Sequence, residues 1–162
     1  MVEKHLVVID AEYVLAEGGS GLIEDGEHKT VGIETTEKIP RRVTLVARGR
    51  PGHGSVPVVD NAVMILANAI GKAAAWQTEV RLNDTTRTYF RRMAEISAPD
   101  DAFRYLNVEN EEFSDEIQQH FLETFPRHYS ISRTSVVPTV IDAGFRKNVV
   151  PSEATAILDI RM

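Results

Sequence analysis

The feature that most constrains this chain is a strand that runs into a glycine-dense turn and straight out into a helix. Val43, Leu45 and Ala47 alternate with Thr44, Val46 and Arg48, the period-two pattern of a half-buried strand. The alternation stops at Gly49-Arg50-Pro51-Gly52-His53-Gly54-Ser55, a turn too rich in glycine to continue pairing. Beyond it Val59, Ala62, Val63, Leu66, Ala67, Ile70 and Ala74 share one helical face, with Asp60 expected as N-cap and Val59 against Met64 as a hydrophobic staple. An apolar strand face followed by an apolar helix face demands a sheet with a helix laid across it.

Further strands for that sheet come from the last third of the chain. Val136 to Ala143 and Ala154 to Arg161 read as strands, separated by a turn around Lys147 to Ser152. In the last one Ala156, Leu158 and Ile160 share one face, while Thr155, Ile157, Asp159 and Arg161 share the other. Between helix and strands lie two amphipathic segments, Thr85 to Ile96 with Tyr89, Phe90 and Met93, and Ser114 to Phe125 with Ile117, Phe121 and Phe125. Asn83-Asp84-Thr85 and Ser114 supply their capping chemistry. The expected class is α+β, a ferredoxin-like βαββ(αβ) unit with inserted helices, cut before its last helix and strand at Met162.

Upstream, His5 to Leu15 reads as a buried strand that ends at Glu17-Gly18-Gly19-Ser20-Gly21. Asp25-Gly26 marks a turn, and Thr30 to Thr36 a returning strand. Pro40 and the charges around it break the pattern, so residues 1–38 and 41–162 are expected to belong to different domains.

Charge and composition narrow the function. The 24 acidic residues outweigh the 18 basic ones, and no Lys/Arg stripe with interleaved aromatics stands out, so nucleic acid is not an expected partner. The absence of cysteine removes disulfides, thiolate metal sites and cysteine nucleophiles, and suits a reducing compartment. No apolar run approaches the ~20 residues of a membrane span, and no signal-peptide pattern opens the chain. A cytoplasmic protein without a membrane partner is therefore expected.

Candidate chemistry is sparse. There is no HExxH, P-loop, GxSxG elbow or Rossmann fingerprint, and the histidines at 5, 28, 53, 120 and 128 show no metal-ligand spacing. Glu17, followed at once by two glycines, stands where an α/β enzyme places a metal ligand or an acid/base; the same position suits an exposed turn glutamate. His53, between Gly52 and Gly54, reads either as an imidazole projected toward a ligand or as a plain loop histidine. Arg161 and Asn148 offer a guanidinium and an amide that can fork onto a carboxylate, although such residues are common at surfaces and turns.

Three segments in order carry a resemblance: Asp10-Ala11-Glu12-Tyr13-Val14-Leu15-Ala16-Glu17-Gly18-Gly19, Arg48 to Pro57 with Asp60-Asn61-Ala62, and Asn148 to Ala154 with Asp159-Ile160-Arg161. Together they resemble the M20 family of zinc metallopeptidases, which includes carboxypeptidases, aminoacylases and acetylornithine and succinyl-diaminopimelate deacylases. The resemblance implies a catalytic α/β domain with two zinc ions, interrupted by a ferredoxin-like lid that dimerises. It implies further that Glu17 is a zinc ligand and that His53 reaches from the neighbouring subunit to stabilise the tetrahedral oxyanion. Asn148 and Arg161 would hold the substrate, the arginine on its carboxylate.

The family's other metal motifs are missing: an upstream His and bridging Asp, a Glu-Glu pair and a His near the C-terminus. A two-metal site cannot be built from Glu17 alone. The expectation is thus an inactive fragment of a dizinc hydrolase that cleaves amides beside a free carboxylate, as in dipeptides or N-acyl amino acids. The alternative is a standalone dimerisation or small-ligand-binding module, against which the retention of Glu17 argues.

Overall fold

The computed structural model describes residues 4–5, 7, 10, 12, 18–24 and 26–162, the side chains of Leu22 and Glu24 excepted. The chain forms two units, Met1–Glu37 and Lys38–Met162.

In the first unit β1 (Ser20–Glu24) and β2 (Glu27–Gly32) make an antiparallel hairpin. The chain reverses at Gly26, whose φ of +80° is a conformation that L side chains resist. The turn falls where Asp25-Gly26 announces it, but the returning strand ends at Gly32, so Ile33 to Thr36 are not extended into it. Most of the strand expected over His5–Leu15 lies outside the described residues. Of those described, His5 and Val7 are helical, while Asp10 and Glu12 are irregular. A short continuous apolar run does not by itself distinguish a strand from a buried helical segment, which is why the reading fails there.

In the second unit β3 (Pro40–Arg48), β5 (Ser135–Ala143) and β7 (Glu153–Arg161) form an antiparallel sheet in the order β3-β7-β5. The last strand thus lies between the two earlier ones, the split βαβ arrangement expected for a ferredoxin-like unit. The register pairs Ala47 with Ala154, Leu45 with Ala156 and Val43 with Leu158, which puts small and aliphatic residues on one face. Helix α1 (Ala62–Ala75) covers that face. Ala47, Ala62, Ala154 and Ala156 surround Leu66 there, so the contact is built from residues small enough to let helix and sheet approach closely.

The helix begins one residue later than its sequence suggests. Asn61, not Asp60, is the N-cap, its side chain accepting from the Val63 amide at 2.9 Å. Asp60 holds the turn instead: its carbonyl accepts from the Arg50 amide at 3.2 Å and its carboxylate lies 3.4 Å from the Arg50 guanidinium. Gly49 makes this possible, because a Cβ there would sit 2.0 Å from the Asp60 carbonyl oxygen. The expected staple is absent, Val59 being 95% and Met64 58% exposed.

Four helices stand between α1 and β5 where two are expected: α2 (Asp84–Ile96), α3 (Pro99–Leu106), α4 (Ser114–Thr124) and α5 (Pro126–Ser132). The unexpected α3 and α5 are short, and each starts on a proline, which suits a first helical turn. Asn83 and Thr86 close a capping box at α2. Ser114 does not cap α4, since its amide donates to the Asn110 carbonyl and Phe113 precedes the helix. A second core of Phe90, Tyr105, Val108, Ile117 and Phe121 holds the helices together.

His128 is enclosed by this core. Its Nε2 lies 2.9 Å from the Tyr89 hydroxyl, and the rings of Phe90, Tyr105 and Phe121 meet it edge-on. Burial, reinforced by Arg127 and opposed by Asp101, pushes its pKa down to about 4 from an ordinary 6.5. Above pH 6.5 both folded and unfolded states are neutral, and the stability is full. Between pH 6.5 and about 4 the unfolded chain binds a proton that the folded one refuses, so stability falls as pH falls. Urea melts across this window are expected to show the loss, and His128→Phe to flatten that part of the profile; an unchanged slope in the variant would assign it to other groups.

Among the described residues no helix is long and apolar enough to cross a membrane.

Candidate functional site

The glycine turn after β3 does pair, contrary to expectation. Gly52–His53 forms a two-residue strand, β4, against Val149–Val150, β6, with His53 opposite Val149. The Gly54 amide then donates to the Asn148 carbonyl at 2.8 Å. A Cβ on Gly54 would lie 3.3 Å from Asn148 Cα, so glycine here permits a close backbone approach rather than ending the pairing. His53, on β4, and Asn148, in the turn just before β6, are far apart in sequence but come together here, both exposed.

The His53 ring is held by Ser55. The Ser55 backbone N–H donates to Nδ1 at 3.2 Å, and the Ser55 hydroxyl is 2.8 Å from the same nitrogen. Nδ1 thus acts as an acceptor, which leaves the proton of the neutral ring on Nε2. Nε2 is then a hydrogen-bond donor, the form needed to meet a developing negative charge.

Arg161 stands elsewhere. It ends β7, while β6 lies just before the start of that strand, so ~3.3 Å per residue puts Arg161 some 26 Å along the sheet from the His53 end. The structure brings His53 and Asn148 together and leaves Arg161 apart from them. The Arg161 guanidinium lies side-on to Asp159, with Nε at 3.0 and 3.2 Å and one terminal nitrogen at 2.9 Å from the carboxylate oxygens. Exposed ion pairs of this kind add little stability, but a side-on fork fixes a guanidinium plane and leaves its remaining N–H groups open to a second anion.

Ser55 and Asp159 are the contributors that sequence reasoning does not single out. For Asp159 a signal is present, since it shares a strand face with Arg161 at i, i+2. For Ser55 there is only proximity to His53. Glu17 lies outside the described residues. Among those described, no group of three or more His, Asp or Glu side chains converges to hold a metal ion.

Comparison with known proteins bears on the whole second unit. Residues 37–162 match the peptidase dimerisation domain of M20 proteins. The chain belongs to the M20 peptidase family. Among curated relatives of this M20 chain, Probable carboxypeptidase S-like 2 of Dictyostelium discoideum is 29% identical over 133 residues, 82% of the chain and 24% of its own length. N-fatty-acyl-amino acid synthase/hydrolase PM20D1 of Xenopus tropicalis is 27% identical over 154 residues, 93% of the chain and 30% of its own length. The M20 chain thus spans less than a third of the length of each of these relatives. As a dimerisation domain, its second unit implies self-association.

Proposed function

We propose that this chain is the part of an M20 amidohydrolase that joins two subunits and lends substrate contacts to both active sites. The bond cleaved is an amide beside a free carboxylate, in dipeptides or N-acyl amino acids. The names of the two relatives, a carboxypeptidase and an N-fatty-acyl-amino acid synthase/hydrolase, both describe such a bond. Arg161 holds the carboxylate with the N–H groups that Asp159 leaves open. His53 donates from Nε2 to the carbonyl oxygen as it gains negative charge, with Asn148 beside it. Zinc enters this reading from the family alone, with Glu17 as one ligand among donors that the described residues do not contain.

The observation that carries the proposal is the separation, by the length of β7, of Arg161 from the His53–Asn148 pair. A small substrate cannot touch both ends of the same domain, so each site takes its arginine from one subunit and its histidine and asparagine from the other. A mixing experiment in the complete enzyme tests this. His53→Ala and Arg161→Ala homodimers are each expected to be impaired. In the mixed dimer one site carries both defects and the other carries none, so activity returns. Proven exchange of subunits with no recovery would mean that both residues serve the same site, and the arrangement would be wrong.

A further inference from the structure

Lys38 opens the second unit, two residues before β3, and its side chain turns onto three backbone carbonyls. The ammonium donates to the carbonyls of Ser130 and Arg133 and, at 3.2 Å, to that of Arg161. Ser130 lies in the last turn of α5 and Arg133 is its C-cap, so both belong to a helix end whose carbonyls lack partners within the helix. The third carbonyl is that of the residue ending β7. An ammonium has three N–H donors and nothing to accept with, and here each donor has a carbonyl. Burial lowers the Lys38 pKa from its ordinary value.

The backbone nearby is also tied, since Ile39 and Met162 exchange both amide hydrogen bonds, at 2.9 and 3.1 Å. That ladder joins β3 to β7 and reaches no helix. On its other side Arg161 pairs with Ser135, two residues beyond the C-cap of α5, and Lys38 adds a side-chain link from the end of β7 to the helix end itself. Asp159, two residues along the same strand, fixes the Arg161 plane relative to β7 itself. The backbone of Arg161 is therefore held by Pro40 and Ser135 on either side, its guanidinium by Asp159, and its carbonyl by Lys38.

We propose that Lys38 is a positioning residue for Arg161, its ammonium pinning the end of β7 to the last turn of α5 so that the guanidinium is presented in one place. Its importance for catalysis rests on the reading of Arg161 as the substrate-carboxylate clamp; the pinning itself does not. A lysine at this point does more than fill space, because only its charged tip reaches the three carbonyls.

The test has two arms. In the 162-residue chain, Lys38→Met keeps the aliphatic stem and deletes the ammonium. The Arg161 Nε–H resonance is expected to move toward that of a free arginine, while the amides of Ala154 to Leu158 keep their protection from exchange. Lys38→Gln, which retains two N–H donors, is read alongside as the gentler variant and should move the resonance less. In the complete enzyme, Lys38→Met should raise KM roughly tenfold with little change in kcat, and add nothing once Arg161 is alanine. Lys38→Arg, which restores a cation, should recover part of the loss.

An Arg161 resonance that stays put in both Lys38→Met and Lys38→Gln overturns the proposal. So does a KM effect that persists in the Arg161→Ala background, for it would mean that Lys38 acts through something else. If Arg161→Ala itself leaves KM unchanged, the clamp reading fails instead, and the resonance arm still decides whether Lys38 positions the side chain.

Discussion

Replacing His53 with alanine in the complete enzyme is expected to lower kcat by about 10²–10³-fold, the loss typical of one oxyanion donor, and to leave KM close to its starting value. The reason lies in the ring's hydrogen bonds. With Nδ1 accepting from the Ser55 amide, the neutral ring carries its proton on Nε2, which is then a donor. A donor aimed at a carbonyl oxygen gains most when that oxygen becomes negative, so its removal raises the barrier more than it weakens the ground state. Steady-state kinetics on an N-acyl amino acid would separate the two. A raised KM with kcat intact would make His53 a ground-state contact. Ser55→Ala should cost much less, because the backbone N–H that sets the tautomer survives the substitution.

Replacing Phe90 with alanine should remove about 3–5 kcal/mol of stability, the usual range for emptying a buried phenylalanine site. Phe90 is 1% exposed and stacks on Phe121 and Tyr105, both at 5.9 Å between ring centres. Removing it opens a cavity in the middle of three packed helices, α2, α3 and α4. Those helices cannot close the cavity without disturbing the ring packing that remains between Tyr105 and Phe121. Urea denaturation followed by circular dichroism measures the loss. A change below about 1 kcal/mol would mean that the aromatic cluster is loosely packed, contrary to its burial. Amide exchange adds the location: protection should fall first in α2 to α5, because Leu66 and its alanines form a separate core under the sheet.

The parts of the fold that can be read without coordinates are those with a visible period. Val43 to Arg48 and Ala154 to Arg161 alternate because one face of each is buried under α1, and the alternation survives in the sequence whatever the rest of the chain does. The pattern of α1 is equally open, as are the start of α2 at Asn83 and the resemblance carried by the segments around His53 and Arg161. Signals fail where they are local and weak. Asp60 and Asn61 are both good caps, and the turn that lets Arg50 reach Asp60 leaves Asn61 to start the helix. Helices α3 and α5 are shorter than the repeat needed to see a face.

By itself, then, the sequence determined an α+β unit, a strand-turn-helix entry, and a small set of side chains able to meet a carboxylate or an oxyanion. The tertiary structure alone decided which of them meet. The pairing of Gly52–His53 with Val149–Val150 joins segments nearly a hundred residues apart, and nothing local to either marks it. The placement of β7 between β3 and β5 sets Arg161 at the opposite end of the sheet from that pair. Lys38 is tied to carbonyls that sequence cannot show, because every residue has one and only the folded chain leaves three of them facing the same point.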